Sequence, residues 1–135
     1  MNARILFAAA LLLSWGSLPL FAELPPSVYE KKQAEAPEKL QLQIMRVQVE
    51  PGAKPEEQSV RLTALVETVD RSASGVSRGD FVTIAYTVTE HPIGWAGPGP
   101  VPIPNEKDKT VAYLQRIPDS GDYAPAAGAM TFSHF

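Results

Sequence analysis

The chain has 135 residues, no cysteine and a net charge of −3 at neutral pH, with 44% hydrophobic and 20% charged residues. That length suits one domain with a real core rather than two. The missing cysteine excludes disulfide staples and a thiol-linked lipid anchor, and the lack of any basic block argues against nucleic acid, whose phosphates are bound by clustered Lys and Arg.

Residues 1–22 have the three parts of a cleavable export signal. Met1 to Arg4 carries one positive side chain and no acid, Ile5 to Leu13 is an unbroken apolar run, and Ser14, Gly16, Ser17 and Pro19 break the helix before Ala22. The apolar run is too short to span a bilayer, which takes about 20 apolar residues. Cleavage is expected after Ala22, although Leu20 is larger than the residue usually found two before a cut. Without Arg4, eleven Lys and Arg stand against fifteen Asp and Glu, a net charge of −4. No second apolar run of that length follows, so no membrane insertion is expected after cleavage. Neither Asn2 nor Asn105 stands in a glycosylation sequon. An exported domain with neither cysteine nor sequon fits a bacterial periplasm, with release to the medium as the alternative.

Residues 23–39 are predicted to form an N-terminal extension with one short helix, and 40–135 the β domain. Ser27 and Glu30 have the spacing of a capping box, Tyr29 to Ala36 favours helix, and Pro37 ends it. Two isolated turns are unstable in water, so the helix must lean on something.

From Leu40 the apolar period changes to two. Leu40, Leu42 and Ile44 share one face, but Met45, Val47 and Val49 continue the alternation one residue out of step, which predicts a β-bulge at Ile44–Met45. After a turn at Pro51-Gly52, Val60, Leu62, Ala64 and Val66 mark a second strand over 59–69. Ser72 to Gly79 is turn material. Asp80 to Thr89 follows, almost wholly β-branched or aromatic, with Val82, Ile84, Tyr86 and Val88 on one face. Thr110 to Arg116 is a fourth strand, and Ala129 to His134 is expected to supply a fifth.

Between them, His91 to Asn105 holds five prolines and three glycines in fifteen residues, with Pro98, Pro100, Pro102 and Pro104 at every second position. That composition forbids helix and interior strand. Long loops without structure of their own are often functional. Trp95, with glycine or alanine around it, offers the rigid, partly polar contact area favoured at interfaces; the competing and somewhat favoured reading is that its ring folds back to cover the barrel mouth.

These elements describe a mainly β fold: a small five-stranded antiparallel barrel with a short N-terminal helix and a long proline-rich loop. The long first two strands, the turn Gly75 to Asp80 leading into Phe81 to Ile84, and the strand Ala112-Tyr113-Leu114 resemble OB-type barrels, in particular the netrin and metalloprotease-inhibitor variant, over residues 40–116. The resemblance implies the OB-like barrel alone. Those relatives are disulfide-stapled and this chain has no cysteine, so no activity or partner passes to any residue here.

Catalytic and metal signatures are lacking. His91 and His134 are the only imidazoles and lack short ligand spacing. No serine stands in Gly-x-Ser-x-Gly, and Asp119 and Asp122 form no EF-hand pattern. The expectation is therefore a non-enzymatic interaction module without cofactor or metal. It would present His91, Ile93, Trp95, Pro98 and Pro100 to a protein or small ligand that the sequence does not name. The alternative is a small enzyme or metal-handling protein using His91 with carboxylates such as Glu90.

Overall fold

A computed structural model of the chain describes residues 24–91, 94 and 97–134. The expected export signal lies outside them, as do Ile93 and Trp95. In order come helix α1 (Pro26–Glu35), β1 (Glu38–Pro51), β2 (Glu57–Ser72), β3 (Phe81–Thr89), β4 (Lys109–Arg116), β5 (Tyr123–Pro125), a 3-10 turn (Gly128–Met130) and β6 (Phe132–Ser133).

Five strands close into a barrel. β1 pairs with β2 and β4, β3 with β2 and β5, and β5 returns to β4, while β6 adds a short flank to β4. The pairings are antiparallel with one exception. β3 and β5 run parallel and meet at a single residue pair, Ile84 with Tyr123. The expected fifth strand at Ala129–His134 is also corrected. Barrel strand β5 comes from the small-residue segment before it, and Phe132–Ser133 supplies only the flank.

Alternation builds the core. Leu40, Leu42, Ile44, Val60, Leu62, Ala64, Val66, Val82 and Ile84 are buried together with Ala112, Leu114 and Tyr123, and Tyr86 and Val88 pack half-buried against them. Full burial of each large aliphatic side chain contributes about 1.5 to 3 kcal/mol.

The predicted bulge is present, since Ile44 faces Ala64, Arg46 faces Thr63 and Met45 faces no residue. Two more register shifts fall in β2, where Glu67 and Asp70 are skipped opposite β1. Bulges bend strands, and these three lie where the two longest strands wrap the barrel. Beyond its bulge β1 pairs only with β2, so the expected inward set Met45, Val47, Val49 has no barrel interior to face. Met45 and Val49 are exposed, and only Val47 touches the core.

Helix α1 begins two residues earlier than the capping box implied. Pro26 opens the first turn, Pro25 is the N-cap, and no side chain caps the end. Proline's fixed φ suits that first position and its missing N–H costs nothing there, so Ser27 falls inside the helix. At the other end Arg71 donates to the carbonyls of Ala36 at 2.9 Å and Gln33 at 2.8 Å. Tyr29 is buried and lies against Gly128, and Gln33 donates to the carbonyl of Met130 at 2.8 Å. The helix therefore leans on one end of the barrel.

Candidate functional site

The proline-rich segment leaves β3 where Glu90 N–H donates to the carbonyl of Glu56 at 2.8 Å. His91 is exposed. Gly94 has φ +90, a conformation that glycine adopts without strain. From Gly97 the chain runs extended. Pro98, Pro100 and Pro102 are exposed, and Gly97, Gly99, Val101 and Ile103 between them are half-buried. Side chains thus alternate with the strand period of two rather than the three of polyproline helix.

This returning half is firmly seated. Tyr86 donates its hydroxyl to the carbonyl of Pro102 at 2.8 Å, and Ile103 packs against the core. Asn105 N–H donates to the Asp108 carboxylate at 2.9 Å and Asp108 N–H returns to the carbonyl of Asn105 at 3.1 Å, closing a turn. Two further bonds fasten that turn to β1: Lys107 N–H to the carbonyl of Ile44 at 2.7 Å, and Ile44 N–H to that of Asp108 at 2.8 Å. The β1 bulge is therefore braced by the end of the loop.

Two hollows flank the segment. His91 and Pro100 join Gln58, Val88, Thr89 and Glu90 around an open depression of about 420 Å³. A second, of about 250 Å³, lies between Pro102–Asn105 and Phe132–His134. Of the expected contact residues, the fold brings His91 and Pro100 to one hollow and leaves Pro98 exposed beyond it. Among the described residues no three His, Asp or Glu side chains are grouped to hold a metal ion. Asp122 is engaged with Arg61 at 2.9 Å.

The densest polar cluster lies elsewhere. Glu38, only 1% exposed, accepts hydrogen bonds from the hydroxyls of Ser72 at 2.5 Å and Ser74 at 2.6 Å, and from the N–H groups of Ala73 at 3.1 Å and Ser74 at 3.3 Å. Burial pushes the Glu38 carboxyl up, but these donors outweigh it and hold the group below the ordinary carboxylate range. The signal for it was present: Glu38 continues the inward phase of Leu40, Leu42 and Ile44 by one step.

Comparison with protein-family models, curated proteins and solved structures gives no match for this chain. The fold defines its class as a small closed β-barrel.

Proposed function

We propose that the chain is exported to the periplasm and works there as a non-enzymatic interaction module, its barrel presenting the segment His91–Asn105 to a protein or small ligand. The observation that carries this reading is the seating of the returning half. Hydrogen bonds from Tyr86 and with Ile44 fix the returning half while Pro98, Pro100 and Pro102 stay exposed. A contact surface fixed in advance loses little conformational entropy on binding, which favours affinity for a given contact area.

Trp95 supplies the aromatic contact in this reading. Capture of partners from periplasmic extract by the purified protein is expected to fail for Trp95→Ala and to persist for Val49→Ala on the far hairpin. Equal capture by both variants would overturn the loop's role. Intact mass is expected to give a chain starting near Glu23, and a full-length species held in membranes would overturn export. A transition metal bound at one per chain would replace the module by a metal-handling protein.

A further inference from the structure

The Glu38 cluster joins four parts of the barrel. Glu38 opens β1, Ser72 ends β2, Ala73 and Ser74 begin the connection to β3, and Tyr123 of β5 reaches Ser74 through its hydroxyl at 2.7 Å. The Ser72 hydroxyl accepts the N–H groups of Gly75 at 3.1 Å and Val76 at 3.0 Å, so its one proton goes to Glu38. Ser74 likewise gives its proton to Glu38, and Tyr123 therefore donates to Ser74. The bonds run in one direction, from Tyr123 and from the connection inward to a single carboxylate.

That direction favours the charged form. A proton on Oε1 meets two hydroxyls and the Ser74 N–H, while a proton on Oε2 weakens the bond from the Ala73 N–H, which is shared with the Pro37 carbonyl at 3.1 Å, and finds no acceptor among the bonds of the cluster. Reversing the Ser74 hydroxyl relieves one conflict but leaves the phenol proton of buried Tyr123 without its acceptor. Buried donors left unpaired are costly.

The carboxylate is held by these donors rather than by an ion pair. None of the ion pairs among the described residues involves Glu38. Arg71, beside Ser72 on β2, is directed to the helix carbonyls. On β4, Glu38 faces Leu114, and Arg116 lines the shallow hollow shared by Glu38, Ser74 and Gln115. Pro37 precedes it in the chain, and Tyr123 of β5 reaches it through Ser74. The cluster ties β5 to the connection that leads into β3, beside the thinnest seam in the barrel, since β3 and β5 share one residue pair.

We propose that Glu38 is an acid-released latch on this seam: when its carboxylate takes a proton from solvent, the Ser72–Asp80 connection and β5 come away while β1, β2 and β3 stay paired. The device is separate from the loop reading and stands whether or not the loop binds a partner.

Amide exchange of the purified protein, followed by NMR from neutral to acid pH and corrected for intrinsic rates, tests it. Opening at Ala73, Ser74 and Val76 is expected to rise by up to about tenfold per pH unit once below the ordinary glutamate range, as uptake of one proton requires, with Tyr123 ring signals changing in the same window. Leu42 and Leu62 are expected to keep their protection there. Connection and core losing protection in step, or the connection staying closed, would overturn the latch.

Glu38→Gln is expected to open the connection already at neutral pH and to abolish its acid response. A wild-type acid response in that variant would equally overturn the proposal. Should Glu38→Gln not fold, Tyr123→Phe decides alongside the wild-type titration. It keeps the carboxylate, so Ala73 and Ser74 must still open with acid while β5 is loosened at neutral pH.

Discussion

Tyr86 and Pro102 are joined by one hydrogen bond, phenol to carbonyl at 2.8 Å, and through it the proline segment is tied to the side of β3. The Tyr86 ring stays in place by other means, packing against the core and tilted at 44° to Phe132 with centroids 6.3 Å apart. Tyr86→Phe therefore removes the tie and keeps the packing. The expected cost is about 0.5 to 1.5 kcal/mol, the net worth of one such bond. Limited proteolysis with mass mapping is expected to show faster cleavage within residues 97–105. Unchanged cleavage would mean that Ile103 and the Asn105–Asp108 turn seat the segment unaided.

The same phenol gives an alkaline dependence. Burial pushes its ionisation well above the ordinary tyrosine value. The unfolded chain ionises near its ordinary pKa of about 10, whereas the folded one resists. The protonated group thus stabilises the fold fully below that pH, and its contribution falls as pH rises above it. Thermal melts of the wild type are expected to drop above about pH 10, with a shallower drop in Tyr86→Phe. Parallel curves would show that Tyr86 is not the source.

The barrel was legible because its causes are periodic. Two inward sets appear in full as alternating apolar residues, the third in Val82 and Ile84 with Tyr86 and Val88 at its margin, and the bulge at Met45 appears as a phase slip in the same pattern. The bulge at Glu67 left a subtler trace, a step of three from inward Val66 to Val69 where two is normal. β5 left almost none. It spans three residues, includes Pro125 and pairs with β3 at one position, so closure there depends on contacts between distant segments. The loop's composition was plain, whereas its seating depends on Tyr86 and the bulged β1, far away in sequence. Glu38 was missed because a charge beside a proline reads as surface, and only its donors from residues 72–74 make its burial tolerable.

Side-chain direction in β3 yields a paired test. Ile84 is fully buried between Leu62 of β2 and Tyr123 of β5 in the register, while Thr83 points outward and is half-buried. Ile84→Ala is expected to cost about 2 to 5 kcal/mol, and Thr83→Ala within about 0.5 kcal/mol of neutral. Urea denaturation measures both. Equal small losses would contradict the inward phase of this strand.

Arg71 holds the helix by its C-terminal carbonyls. Its guanidinium makes both contacts from β2, and a cation at that end also interacts favourably with the negative end of the helix dipole. Helix α1 is short, lacks a side-chain N-cap and has Tyr29 as its one buried residue, so it is not expected to persist undocked. Arg71→Ala is expected to lower stability by about 1 to 3 kcal/mol and to reduce helical circular dichroism before the barrel melts. A single transition with unchanged helical signal would show that Tyr29 and Gln33 dock the helix alone.

Glu38 also sets how global stability responds to acid. Its folded-state pKa lies below its ordinary value, so the folded state binds the proton less readily than the unfolded chain does. The contribution is therefore complete above the unfolded pKa of about 4.3 and is lost as pH falls from there through the folded value. Glu38→Gln keeps the shape but puts an amide donor where Ala73 N–H or the serine hydroxyls also donate. Near neutral pH the variant is expected to be less stable by about 1.5 to 3 kcal/mol, the scale of a hydrogen bond to a charged group. The gap between wild type and variant must then narrow as pH falls below the glutamate range, because the wild type loses a charge that the variant never had. Denaturant midpoints for both proteins across that range measure the gap directly. A constant gap would mean that Glu38 stabilises by packing alone and that its charge has no part in holding the connection to the barrel.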